Sequence, residues 1–414
     1  MSAKLLGVAA ARGRVLDRVA PLPSEPVPLE LAAGRVTAAD ARSSEDVPGF
    51  DNSAMDGFAV RSADLTGASA QAPVSLAIAG ESRAGAPSDR ELAPGEAIAI
   101  STGGMLPVGA DAVVRVEDTE AHDGTVAVRV VARPGANVRR AGEDIRDGDV
   151  VLAAGTVLGA AELGVLASIG VAAPECRRAP AVSVLCTGDE LRGSDEALGP
   201  GEIRNSNALT LPALAREAGA EVTSVARVGD DPALTRERLA SALAADVTVI
   251  SGGVSVGEHD HVKDALADLG VERVFWGVAL RPGKPTFFGV HEGGLVFGLP
   301  GNPVSAMVTF LLFARPALLA MQGADPERLR VIATLAAPLP RLASRDQAVR
   351  CRIEVAEQGW MAVPTGQQGS HVLTSMLGAD GLAAVEAGDG ELDAGSRVEV
   401  ELVRAPAGTA STTP

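Results

Sequence analysis

Hydrophobic spacing divides the chain into stretches of different period. Near the N-terminus Val8, Arg12, Val15, Leu16 and Val19 recur as one helical face, so 8–20 reads as a helix with Arg12 at the rim of its buried stripe. Residues 46–59 are rich in turn formers and read as a loop. From about 72 to 155, short apolar segments at 74–78, 96–100, 112–117 and 126–131 are broken by Gly and Pro, the pattern of a small β-rich module; helical spacing returns at 160–169. After Pro180, buried-type strands at 181–186, 221–226, 246–250, 273–278 and 295–299 alternate with helices at 207–218 and 261–269. A further helix follows Asp230-Asp231-Pro232, where Asp230 reads as the cap and Pro232 suits the first helical position. An apolar helix over 304–319, kinked near Pro316, completes this part. Alternating strands and helices imply an α/β unit with a mostly parallel sheet, whose ligand sits beyond the carboxyl ends of the strands. After Gln322-Gly323, strand patterns at 330–335, 349–355 and 397–403 predict a small barrel-like β domain.

The expected organisation is therefore multidomain α/β and β. An N-terminal region (1–179) carries a β-rich module inserted at about 55–140, followed by the α/β domain (180–324), a C-terminal β domain (325–404) and a tail (405–414) of disordered composition.

Composition narrows the partners. A net charge of −17 and only ten aromatic residues, none of them Tyr, argue against nucleic acid or anionic membrane as a bulk partner. Arg12 and Arg14 interrupt the apolar run 5–11 before it could form a signal-peptide core. No uninterrupted apolar stretch reaches the roughly 18 residues of a membrane span. Three cysteines without a C-x-x-C argue against a disulfide framework or thiolate zinc, and fit the cytoplasm. Lysine occurs only at 4, 263 and 284, which makes Lys284 conspicuous.

Several blocks could carry chemistry. Ser251-Gly252-Gly253-Val254-Ser255-Val256-Gly257 follows a strand, and its glycines let backbone N–H groups approach a phosphate; a plain tight turn is the competing reading. The same block spells G-x-S-x-G around Ser255, but the helix required directly after a nucleophilic Ser does not follow. Residues 298–305, GLPGNPVS, turn from a strand into a helix with Asn302 as N-cap and Pro303 at the first position, a ready anion site or simply a well-capped helix. Arg281 and Lys284 bracket a proline-rigid turn. Acids at turns (Asp56, Asp144, Asp189, Glu190, Asp230, Asp231, Asp260) could bind Mg²⁺ or move protons if they converge; singly, each reads as a cap or turn residue. His259 and His261 make a weak metal pair. The polar loop 366–371, containing Ser370 and His371, offers oxyanion donors or an ordinary turn. Seven of the ten aromatics lie in or beside these blocks, where they could rigidify a turn, stack a pterin or simply fill core.

Together the blocks resemble one family. FDNSAMDGFAV (50–60), RRAGEDI (139–145), TGDEL (187–191), 251–257, 281–285, 298–305 and 368–371 follow the order of MoeA proteins and the gephyrin E domain, over about residues 8–403. The resemblance implies a four-part homodimer that moves molybdenum from molybdate to adenylated molybdopterin and releases AMP. The cleft would lie between the α/β domain of one subunit and the N- and C-terminal parts of its partner. By motif position it implies Glu190 and Asp230 at Mg²⁺ and phosphate, with Asp260 in the same cleft. Thr187, Gly252, Gly253, Ser255 and Gly257 would hold the pterin substrate, with Pro300 and Pro303 shaping the pocket. Arg281, Lys284, Ser305, Arg350 and Ser370 would hold molybdate. Asp56, Thr102 and Asp144 would come from the partner. Molybdopterin adenylyltransferase and apo-molybdoenzymes are further expected partners. The sequence departs from the family at Phe58, commonly Tyr; at Gly277, where Lys is frequent; and at Arg281, which replaces another Lys. An adenylyltransferase would share the α/β domain but need neither 50–60 nor a C-terminal domain. A non-catalytic molybdopterin carrier is the other alternative.

Overall fold

The computed structural model describes residues 5–229, 231–254, 261–356 and 359–406. Ser255, Gly257, His259, Asp260 and Asp230, all named above, lie outside the described residues, as does most of the expected tail.

The chain leaves the N-terminal helix Val8–Leu16 and enters a body closed at its base by the antiparallel pairing of Ser24–Pro26 with Glu175–Arg177. Within this body sits a six-stranded sheet, in the order Ala112–Arg115, Gly57–Val60, Glu96–Ile100, Val74–Ser82, Thr125–Val128, Thr119–His122. Its two cores are its own: Phe58, Leu76, Val114 and Val126 fill one, and Ala59, Ile98 and Val113 the other.

The α/β domain is built on a second six-stranded sheet. Glu221–Val228, Ala181–Thr187, Val247–Ser251 and Gly294–Leu299 run parallel, with Phe287–His291 and Glu272–Trp276 antiparallel at one edge. The central strand Val247–Ser251 is buried throughout, as a strand covered on both faces must be. The hairpin strand Phe287–His291 is absent from the sequence reading, because an unbroken apolar run carries no period; it turns at Glu292-Gly293, both with positive φ. Phe275, Phe288 and Phe297 pack in series with centroids 5.6 and 5.0 Å apart, so these rings are core and not a pterin platform.

The long helix runs from Pro303 to Met321, and its irregularity is a π-helical turn, Phe310–Ala314, directly before Pro316. The widened turn absorbs the amide that proline lacks, where a simple kink is expected from sequence. By length and mean hydropathy of 1.8 this helix could cross a bilayer, but 78% of that stretch is buried inside the protein. It is the core helix of the α/β domain.

The C-terminal domain is a closed barrel. Asp346–Ala356, Gly359–Pro364, Arg330–Leu335, Arg397–Leu402 and Gly381–Val385 pair in turn, and the last returns to the first. The short strand Leu280–Arg281 of the α/β domain adds to the barrel beside Asp346 and Gln347.

Arg12 is not at a rim. It is 7% exposed, and its guanidinium meets Glu401 of the barrel at 3.1 Å and Glu327 at 3.4 Å. Ala11 and Val15 of the same helix join the α/β core, so this helix ties two domains together.

Candidate functional site

The carboxyl ends of three parallel strands meet in one crevice: Thr187, Ser251 and Leu299. Gly252 and Gly253 follow Ser251 with φ of +92° and +64°. A Cβ on Gly252 would stand 2.7 Å from the Thr187 carbonyl oxygen and 2.8 Å from its hydroxyl, so the position admits only glycine. Gly252 N–H donates to Leu299 O at 3.1 Å. Neither Gly253 N–H nor Val254 N–H donates to an acceptor among the described residues. Successive free amides beside two left-handed glycines form an anion-binding nest.

Asn207, which the sequence reading missed, braces this crevice. It is 7% exposed, and its amide donates to Ser251 Oγ at 2.7 Å and Gly301 O at 2.8 Å, joining two of the loops. Nothing in the one-dimensional pattern separates it from an ordinary helix-start asparagine. On the other side Glu190 folds over Gly188, and Asp189 lies against Gly229. Asp231, not Asp230, caps the next helix, accepting from Ala233 N at 2.8 Å and Leu234 N at 2.9 Å. Among the described residues no three His, Cys, Asp or Glu side chains converge as a metal site.

The second half of the crevice comes from the barrel of the same chain. Ser370 O accepts Val304 N–H at 3.2 Å, so the polar loop 366–371 covers the start of the long helix. Asn302 holds the N-cap position, but its side chain makes no cap; it donates instead to Ser370 Oγ at 3.1 Å. The resemblance places a partner's C-terminal part here, whereas these bonds form within one chain because the helix's free N–H groups need acceptors. Pro303 takes the first helical position as expected, Pro300 is buried, and Ser305 is buried in the first turn.

Arg350 is the chemical centre of this half. It is 1% exposed and held by Ser375 Oγ at 3.2 Å, Gly369 O at 3.3 Å and Ala348 O at 3.4 Å. Its backbone exchanges bonds with the Gln368 amide at 2.9 and 3.1 Å. No carboxylate among the described residues pairs with it. Burial, and then the charge of Arg281, push its pKa down to about 10. A guanidinium remains cationic there at neutral pH, and a buried unpaired cation beside a second cation favours an anion between them. Arg281 and Lys284 are exposed, on the turn that leads from the Gly277–Thr286 bond into the barrel edge.

The N-terminal acids form a separate group. Asp56 Oδ1 accepts from Thr102 N at 2.7 Å and Thr102 Oγ1 at 3.1 Å, which holds its carboxyl below the ordinary carboxylate range. Asn52–Ser53 pairs with Val138–Arg139, so the blocks 50–60 and 139–145 are neighbours, and Asp144 is exposed beside them. Among the described residues no hydrogen bond or ion pair joins Asp56, Thr102 or Asp144 to the α/β crevice. The three thiols are buried and free. Burial lifts Cys186 to about 11 and Cys351 to about 12, so neither is a thiolate nucleophile at neutral pH.

An amide nest at the carboxyl edge of a parallel sheet, joined through the 298–305 turn to a barrel loop that holds a buried guanidinium, defines a multidomain α/β protein suited to phosphate and oxyanion ligands. The chain belongs to the MoeA family. The MoeA N-terminal region (domains I and II) matches residues 6–170, the "Probable molybdopterin binding domain" 183–320, and the MoeA C-terminal region (domain IV) 333–403. It is 38% identical over 399 residues to the molybdopterin molybdenumtransferase of Haemophilus influenzae, covering 94% of this chain and 97% of that one. It is 39% identical over 383 residues to molybdopterin molybdenumtransferase 2 of Mycobacterium tuberculosis, covering 90% and 94%. The crystal structure of the molybdopterin biosynthesis MoeA protein of Pyrococcus horikosii superposes with a TM-score of 0.82 at 34% identity, over 97% of this chain and all of that one.

Proposed function

We propose that the chain is a molybdopterin molybdenumtransferase, which places molybdenum from molybdate onto adenylated molybdopterin and releases AMP. The observation that carries this reading is the meeting of two loops: the barrel loop that holds buried Arg350 through Gly369 O bonds Asn302 and Val304 through Ser370, and that turn packs on Gly252 through Gly301. Two anions must meet in this reaction: the phosphate of the pterin nucleotide and the molybdate dianion. The Gly253 and Val254 amides suit the first, and Arg350, Arg281 and Lys284 the second. Fixed donors and cations aimed at developing negative charge lower a barrier most where water is excluded. The C-terminal β domain and the inserted module disfavour a free-standing adenylyltransferase, which needs neither.

Glu190, over Gly188 beside the end of the Thr187 strand, is the described carboxylate assigned by motif to a divalent cation; Mg²⁺ held there would offset phosphate charge during anhydride cleavage. Asp230 and Asp260 are assigned to the same place by motif. Ser255 and Gly257 extend the phosphate cradle by the same reasoning. Asp56, Thr102 and Asp144 reach the crevice from a second copy in a homodimer; among the described residues no hydrogen bond or ion pair carries them there within their own chain.

The test is AMP release from adenylated molybdopterin by the purified chain with Mg²⁺, with and without molybdate. Molybdate-dependent release, with a product that activates an apo-molybdoenzyme, is expected. Lys284→Ala raises the molybdate concentration for half-maximal release by about tenfold, the order of one charge-assisted contact. Full release at low molybdate by that variant overturns the molybdate assignment, and binding without release makes the chain a carrier.

A further inference from the structure

The glycine-rich block is held by a residue outside every motif named above. Trp276 ends the edge strand Glu272–Trp276, and its indole Nε1–H donates to Val254 O at 2.8 Å. Val254 is 1% exposed and packs so closely over Gly298 that a Cβ there would stand 2.6 Å from its Cγ1. A face of the same ring system carries Lys263, whose Nζ lies 4.7 Å from the ring centroid. Lys263 belongs to the first turn of the helix His261–Asp268. One indole therefore touches the chain on both sides of residues 255–260, at Val254 before them and Lys263 after them.

We infer that Trp276 is the positioning residue of the phosphate cradle, gripping Val254 and Lys263 so that the Gly253 and Val254 amides keep a fixed aim. This rests on the reading of those amides as an anion site. A left-handed glycine pair can adopt many backbone conformations, so something else must select one. Gly252 N–H is fixed by Leu299 O, and the Trp276 bond fixes the next carbonyl but one along the chain. Between these two anchors the peptide planes carrying Gly253 N–H and Val254 N–H have little freedom to turn. Preorganised donors bind an anion without the ordering cost that a loose loop meets on binding. Trp276 donates no bond to the ligand in this scheme, and it acts through Val254.

Inorganic pyrophosphate is the probe, its binding to the full chain measured by titration calorimetry, alongside steady-state release assays. Trp276→Phe keeps a ring for Lys263 and removes the N–H donor. It is expected to weaken pyrophosphate binding and raise KM for the pterin nucleotide by about tenfold, the scale of one hydrogen bond. Both kcat and KM for molybdate stay unchanged. Lys263→Met removes the cation over the ring and gives about a two- to fivefold loss in the same two readouts. A purely structural role would instead lower the thermal midpoint and the active fraction while leaving the pyrophosphate Kd of folded protein intact. Unchanged pyrophosphate affinity in folded Trp276→Phe, or an equal rise in KM for molybdate, overturns the inference. A wild-type chain that binds no pyrophosphate overturns the cradle itself, and that result is distinguishable because it appears before any substitution is made.

Discussion

Asp56 and Thr102 stand 46 positions apart in sequence, yet one carboxylate oxygen accepts both the amide and the hydroxyl of the threonine. The amide lowers the pKa most and the hydroxyl adds to it. Because the folded pKa lies below the unfolded value, this contact contributes fully above the unfolded pKa of about 3.9 and is lost as pH falls through the folded value. Thr102→Val removes the hydroxyl and keeps the amide. The Asp56 pKa, read by carboxyl NMR titration, should rise part of the way toward its ordinary value and stop short of it. A wild-type pKa at or above the ordinary value contradicts the assignment. The two residues were legible singly, as motif members, but their bond was not, because no periodicity spans two loops of one module.

Segments with a strong period were read well from sequence: the strands at Ala181, Val247 and Gly294 and the helix at Asn207 fall within a few residues of their expected ends. What failed was information held by a neighbouring element. Periodicity put Arg12 at a helix rim, since it treats the helix as if alone; the barrel docks on that rim and buries it. The resulting cluster holds Arg12, Arg315 and Arg328 around Glu401. Burial first, and then Arg315, push Arg328 down to about 10. Glu401 lies in register with Leu382, which lies in register with Arg350, so the ion cluster and the crevice guanidinium are two strands apart on one barrel wall. Glu401→Gln takes the nearest carboxylate from Arg328 and leaves Arg12 with Glu327 alone, and breaking a buried pair costs about 3–5 kcal/mol. Urea unfolding should show that loss. The double variant Arg12→Met/Glu401→Gln should lose less than the sum of the singles, as residues in one network do. Strict additivity would falsify the idea that these domains are latched by a single cluster.

At the scale of the whole molecule, the sequence ordered its blocks correctly along the chain but could not say which of them share a crevice. One chain brings together Gly252, Asn302, Arg350 and Ser370, while Asp56, Thr102 and Asp144 sit on an N-terminal body whose cores contain no residue of the α/β domain or barrel. If a second copy supplies that body, complementation between defective chains is the decisive measurement. Asp56→Asn disables the donated half and, with molybdate held well below its half-maximal concentration, Lys284→Ala cripples the receiving half. Within a dimer mixed from the two, one crevice carries both defects and the other carries neither. When the variants are unfolded together and refolded at equal amounts, half of the dimers are mixed and half of their crevices intact, so activity should return to roughly a quarter of wild type. Each variant refolded alone should stay near its own residual rate. Dimers at the expected mass that give no recovery would mean that each chain completes its own crevice, which requires a swing of the inserted module toward the carboxyl edge of its own sheet. Recovery near a quarter would fix the geometry of transfer: the amides and guanidinium of one chain hold the two anions, and the acids of the other approach them from across the dimer.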